Sequence, residues 1–297
     1  MNAADPETPS HVAERILVGL RAPIELHGTV IRPHASLGFA MATPADTADA
    51  IVRNADVAMY FAKSQGKDRL QPYDGRMHAD VLRRLTVRAE LEQAIERGEF
   101  VVHYQPIVSP PDRAVVGFEA LVRWQHPERG LVAPDEFIGV AETTGLIVPL
   151  GLWVLREALA ATRRWQDEFA MPELSISVNV SPRQLDHPAF AADVAGALAE
   201  TKIDPARVIL EITESSVLDA ESTAAMLGSL KRLGVRVAID DFGTGYSSLS
   251  YVGRLPIDEV KIDRSFVSAI GTDNRTAALV ASVINLSRTL NLTTVAE

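Results

Sequence analysis

From residue 100 onward, apolar strand-like runs alternate with helical stretches, and this alternation leaves the chain few architectures. The strand-like runs span 100–108, 115–124, 174–180, 208–212, 235–239, 259–262 and 293–297. Helical patterns at 134–142, 149–169, 189–200, 220–233 and 276–290 separate most of them. Repeated β-then-α spacing predicts an α/β fold with a parallel sheet, and this many units predict a closed TIM-type barrel over an open sheet. Seven strands are present where such a barrel needs eight, so the expectation is a (β/α)8-type barrel lacking its last strand and helix. In that architecture, chemistry sits at the C-terminal ends of the strands.

Upstream, residues 11–20 read as helix, 30–39 as strand and 46–64 as a second helix. Apolar positions at Ala50, Ile51, Ala55, Ala58, Met59 and Ala62 carry its period, and Gly66 is placed to stop it. Residues 1–74 are expected to be the end of one unit, a small α/β remnant with little core of its own. A helical pattern through Val81, Leu82, Leu85, Leu91 and Ile95, closed by Gly98, marks 75–98 as a connecting helix into the region 99–297.

Polar residues fall on or at the ends of the strand runs: Glu119, Asn179, Glu211, the pair Asp240-Asp241, Lys261 and the terminal Glu297. Buried carboxylates and amides need a cation or a hydrogen-bond network. Each residue has a bland reading. Glu119 could line the solvated face of an edge strand, Asn179 form a turn, Asp240 start an Asx turn, and Lys261 be a surface lysine balanced by Asp258 and Asp263. Recurrence on strand after strand argues instead for one convergent site. Oxygen donors without cysteine or clustered histidine point to hard cations, Mg²⁺ or Mn²⁺, over zinc. After Asp240-Asp241 a glycine-rich loop follows, Phe242-Gly243-Thr244-Gly245.

The 297 residues are 47% hydrophobic and 23% charged, as in an ordinary globular protein, and include no cysteine, which excludes disulfides and thiol chemistry. No secretory signal and no run of ~18 apolar residues is visible, which fits the cytoplasm. A net charge of −10 argues against DNA or RNA as a partner. A small anionic ligand would have to be met by metals or by a few placed cations.

Glu119-Ala120-Leu121, preceded by Tyr104-Gln105-Pro106-Ile107 and followed by Arg123-Trp124, resembles the signature of EAL-domain cyclic-di-GMP phosphodiesterases. So do residues 177–181, Glu211-Ile212-Thr213-Glu214, 240–248, Lys261-Ile262-Asp263 and Val295-Ala296-Glu297. The resemblance covers roughly 85–297. It implies a modified TIM barrel with an antiparallel first strand. It also implies two divalent ions, Mg²⁺ or Mn²⁺, one held by Glu119, Asn179, Glu211 and Asp240, and a second bridged by Asp240 with Asp241 as further ligand. Lys261 and Glu297 would position the nucleophilic water, and Arg123 and Gln105 would bind substrate. Glu214 would tie down the loop containing Gly243, Thr244 and Gly245, which in the family couples the site to a homodimer interface.

Residues 36–74 resemble the tail of a GGDEF diguanylate cyclase domain, through 35–40, 54–60, Ala62-Lys63 and Gly66-Lys67-Asp68-Arg69. Its nucleotide-binding loop is absent, so a scaffolding role is expected. The family continues past the position of Glu297 with an eighth strand, so a C-terminal truncation is expected, as are upstream sensory domains that could anchor the parent protein to a membrane. The activity implied is hydrolysis of cyclic-di-GMP to linear pGpG in bacterial signalling. The rival expectations are a catalytically silent cyclic-di-GMP sensor and an inactive fragment of the parent enzyme.

Overall fold

The computed structural model describes residues 7–26, 29–31, 33–64, 68–110, 112–217, 220–243, 255–271 and 273–297. The chain divides into two compact units, Met1–Glu90 and Leu91–Glu297.

In the first unit, helix α1 (Glu7–Leu20) precedes a hairpin of β1 (Ile24–Leu26) and β2 (Thr29–Ile31). Strand β3 (Leu37–Phe39), helix α2 (Ala48–Ser64) and strand β4 (Leu70–Pro72) follow, with β3 and β4 parallel. The single strand predicted over 30–39 is therefore two short ones in different sheets. Pro33, which has no N–H to give a ladder, stands between them. Thr47 caps α2, its hydroxyl accepting from the Ala50 N–H at 3.3 Å. Small Ala58 and Ala62 are fully buried and let α2 lie close against β3. Gly66 lies outside the described residues.

Helix α3 (Arg76–Arg97) is preceded by Asp74, whose carboxylate accepts from the Arg76 N–H at 2.9 Å. It ends at Gly98, whose left-handed φ of +67° favours glycine.

The second unit is built on one curled sheet, a half-barrel. Its strands are β5 (Phe100–Val108), β6 (Val115–His126), β7 (Gly130–Val132), β8 (Ser175–Val180), β9 (Val208–Thr213), β10 (Arg236–Phe242), β11 (Glu259–Ile262) and β12 (Thr293–Ala296). The spatial order is β12-β11-β10-β9-β8-β6-β5, with β7 hairpinned onto β6. From β6 to β12 every pairing on that path is parallel, whereas β5 runs antiparallel to β6. Among the described residues, no strand pairs with the outer edge of β5 or of β12.

Between the strands run α4 (Pro134–Thr144), α5 (Ile147–Glu168), α6 (Pro182–Leu185), α7 (Phe190–Thr201), α8 (Ala220–Arg232), α9 (Arg264–Ser268) and α10 (Asn274–Thr289). Helix α5 starts two residues before the predicted 149, because a proline is tolerated in the first turn, where no intrahelical N–H bond is lost. Strand β7 and helices α6 and α9 are too short for periodicity to reveal them. No described helix is long and apolar enough to cross a membrane.

Parallel register sorts the side chains by period 2. Ile176, Val178, Val208, Leu210, Ile212, Val237, Ile239, Val260 and Ile262 share one face and are buried. The opposite, concave face carries Glu119, Ser177, Asn179, Glu211, Asp240, Glu259 and Lys261.

Gly38 on β3 has no room for a side chain: a Cβ there would sit 2.0 Å from the Met59 nitrogen and 2.4 Å from the Ala55 oxygen. Those are backbone atoms that cannot rotate away. Gly38→Ala is expected to destabilise the first unit by about 2 kcal/mol, seen as faster amide hydrogen exchange across residues 48–64.

Candidate active site

Glu211 interrupts a strand of Val208, Ile209, Leu210 and Ile212 and is only 1% exposed. Its compensation comes from Lys261, equally buried, whose Nζ donates to Glu211 Oε2 at 2.9 Å. The same ammonium lies 3.1 Å from Glu119 Oε2, 3.3 Å from Asp240 Oδ1 and 2.7 Å from Glu297 Oε1. Strands β6, β9, β10 and β11 and the residue after β12 thus converge on one nitrogen. Between β6 and β11 lie four strand spacings, about 19 Å if the sheet were flat. The 3.1 Å contact between Glu119 and Lys261 requires the sheet to curl.

Asn179 sits at the exposed rim, where its Nδ2 donates to Glu119 Oε1 at 2.8 Å. With the donor half of the amide engaged, its carbonyl oxygen is left to accept. Asp240, Asp241 and Glu297 each offer an oxygen within 4.8 Å of the others, a group able to hold a cation. Asp241 adopts a left-handed φ of +53°, a conformation that aspartate tolerates better than most residues. Glu214 accepts from the Gly243 N–H at 3.0 Å. Gly243 has φ +104°, and the Phe266 ring lies beside it, so a side chain would be strained there.

Four carboxylates therefore face one ammonium. Burial pushes the Glu211 carboxyl up to about 8, against the pull of Lys261 and with further upward push from Glu119 and Asp240. For Lys261 burial favours the neutral amine, but Glu211, Glu119 and Asp240 outweigh it and hold the ammonium above its usual range. Burial likewise raises Glu297 and Asp241, the latter also through Asp240 and Asp263. Glu211 Oε1 is buried without a hydrogen-bond partner among the described residues. An oxygen-only donor set with surplus negative charge and an orphaned carboxylate oxygen fits hard divalent cations.

The structure brings together Glu119, Asn179, Glu211, Asp240, Asp241, Lys261 and Glu297. Gln105 is in register with Glu119 and lines a groove of about 770 Å³ with Glu119, Lys261 and Glu297. Arg123 shares the face of Glu119 but donates to the Val122 carbonyl at 2.8 Å, and among the described residues it pairs with none of these carboxylates. Thr244 and Gly245 lie outside the described residues. Sequence reasoning weighed Asp263 only as a charge balancing Lys261, whereas it lies against Asp241 and pushes that carboxyl up. It also passed over the pair of half-buried Arg236 and buried Glu259, 2.9 Å apart one layer below Lys261. Alternation could have found Glu259, two residues before Lys261 on the same face.

A curled, largely parallel sheet gathers acids toward the C-terminal ends of its strands, a cluster able to hold a cation. Residues 88–297 match the family described as the EAL domain, and the chain belongs to that family. It is 41% identical over 300 residues to the bifunctional diguanylate cyclase/cyclic di-GMP phosphodiesterase MucR of Pseudomonas aeruginosa, covering 100% of this chain and 44% of that protein. It is 37% identical over 289 residues to the cyclic di-GMP phosphodiesterase PdeR of Escherichia coli, covering 96% of this chain and 43% of the relative. The chain thus spans less than half the length of either. The solved PaMucR phosphodiesterase in complex with c-di-GMP superposes with a TM-score of 0.68 at 45% identity, covering 71% of this chain and 85% of that one.

Removing Lys261 leaves the carboxylates facing one another. Lys261→Met is expected to cost about 3 kcal/mol at pH 8, measured by urea unfolding of the metal-free chain. Protonating a carboxylate relieves the repulsion. The folded value of Glu211 stands above its ordinary 4.5, so its contribution is whole below about pH 4.5 and is lost as pH rises through about 8. The deficit of the variant therefore shrinks on going from pH 8 to pH 5.

Proposed function

We propose that this chain carries a cyclic-di-GMP phosphodiesterase site that hydrolyses one phosphodiester bond to give linear pGpG, using two divalent ions, Mg²⁺ or Mn²⁺. The observation that carries the reading is the surplus of carboxylates around Lys261, with Glu211 Oε1 left without a partner. The names of MucR, PdeR and the c-di-GMP complex of PaMucR support the substrate.

In this reading Glu119, Asn179, Glu211 and Asp240 hold one ion, and Asp240 and Asp241 the second. Bound there, the ions would acidify a water and offset charge on the phosphoryl oxygens. Lys261, a donor with no acceptor, orients the attacking water and steadies the non-bridging oxygens. Its neighbour Glu297, 2.7 Å away, is the acceptor available for the proton of that water. Attack on phosphorus breaks the bond to the ribose 3′-oxygen, which leaves as a hydroxyl by taking up the proton that Glu297 accepted. Arg123 swings from the Val122 carbonyl to a substrate phosphate, and Gln105 contacts the ligand from the groove. Glu214 holds Gly243 and with it the loop through Thr244 and Gly245, which in this reading reports to a homodimer interface.

The fold is read as a modified TIM barrel. The edges of β5 and β12 bound the groove of about 770 Å³, lined by Ile107, Val280, Ile284, Leu292 and Val295 among others. A further strand and helix would fit there and close the barrel. Residues 1–74 are read as the C-terminal part of a GGDEF-like domain, 75–98 as its connecting helix and 99–297 as the EAL barrel. The match to the bifunctional MucR over the whole chain supports that division.

Chromatography of cyclic-di-GMP incubated with the chain and Mn²⁺ is the test. Formation of pGpG that falls at least a hundredfold in Asp240→Ala is expected. An Asp240→Ala variant turning over at the parental rate would overturn the assignment. A version extended by a strand and helix across the groove is expected to be faster, and equal rates would show that closure is dispensable.

A further inference from the structure

Asn179 stands at the rim of the site with an exposed side chain, yet its amide must keep one orientation to meet Glu119. We propose that the 181–184 turn is a positioning device for Asn179, set by Gln184 filling the slot that Gly151 leaves on helix α5.

The turn is tied at three points. Ser181 ends the strand in extended conformation, and its hydroxyl accepts from the Gln184 N–H at 3.3 Å while Gln184 Oε1 accepts from the Ser181 N–H at 3.1 Å. This reciprocal pair is a capping box, which fixes the chain entering a helix. Gln184 is buried, and its amide occupies the space above Gly151. A Cβ at residue 151 would come within 2.2 Å of Gln184 Nε2 and 2.5 Å of its Cδ. Any side chain there must push Gln184 aside and pull Oε1 off the Ser181 N–H. Arg183 makes the third tie, donating to the last carbonyls of α4, Glu142 at 3.0 Å and Thr143 at 3.4 Å, beside Gly145.

Asn179 is two residues before Ser181, with Val180 buried between them. Its recorded side-chain bond is the 2.8 Å donation to Glu119 Oε1. Pairing with β9 sets Asn179 and Val180 in register with Glu211 and Ile212, and beyond that ladder the capping box and its ties to α4 and α5 fix how the strand ends. Gly151 and Gln184 touch none of the carboxylates; they act through the backbone of Asn179.

The test uses the metal-free chain and side-chain amide NMR of Asn179. Gly151→Ala and Gln184→Leu are expected to speed exchange of the Asn179 amide protons about tenfold. Gln184→Glu, which keeps an acceptor for the Ser181 N–H, should leave them protected. Gly151→Ala combined with Gln184→Ala removes the clash and should behave as Gln184→Ala alone, giving a folded comparison if Gly151→Ala unfolds. Mn²⁺ affinity should fall about tenfold in the same variants, the loss typical of a ligand-supporting group. Only that arm rests on the proposed metal site: an unaltered chain that binds no Mn²⁺ sinks that reading, and the amide signal still decides this one. Lower melting temperatures with the Asn179 amide unmoved would show a purely structural turn and overturn the proposal.

Discussion

The buried ammonium of Lys261 is the point on which the second unit closes. Four acidic residues, from β6, β9, β10 and just past β12, reach it, two of them across intervening strands. Removing a charge from water costs several kcal/mol, and the cost is met only when opposite charges and hydrogen bonds are placed around it. Lys261 has no such surroundings until the sheet has curled, and the curled sheet has no counter-charge for Glu211 without Lys261. Site and curvature are therefore one interaction seen from two sides.

The concave face holds two layers of charge with different balances. In the lower one Arg236 meets Glu259 at 2.9 Å and reaches the Thr293 hydroxyl at 3.3 Å, so the buried Glu259 has its opposite charge. Just before β11, Asp258 meets Lys231 from the end of α8 at 2.7 Å in the same way. The upper layer departs from this pattern, with four carboxylates to one ammonium. Charge neutrality below and surplus above distinguish scaffold from site more sharply than polarity does, since both layers are equally polar.

That contrast explains what could be read from sequence. Runs such as Val208-Ile209-Leu210 around Glu211 announce a buried strand with a costly intruder, and both the strand and its importance were visible. Glu259 lies in the same strand as Lys261 with the same spacing logic, but its partner Arg236 is on another strand, and pairing across strands is invisible until register is known. The predicted strand over 30–39 breaks at Pro33, where Arg32 and His34 interrupt the apolar residues and proline has no N–H to give a ladder. Gln184 escaped notice because its meaning depends on an empty space at Gly151, a residue 33 positions away with no side chain to signal contact.

The surplus charge also orders events in the proposed reaction. An anionic dinucleotide approaching a protein of net charge −10 meets at the site a further excess of carboxylates. One ammonium cannot invert that potential, because at contact distances the attraction of one charge is cancelled by the repulsion of the next. Arg123, held at the Val122 carbonyl, stands on the same strand face as Glu119 and cannot do so alone either. In the proposed reading, cations entering the carboxylate cluster would reverse the sign of the field, so occupation of the acidic site would precede productive capture of the phosphates. The same argument assigns Lys261 its place: it holds the carboxylates close enough to form a site while leaving them short of one another's neutralisation.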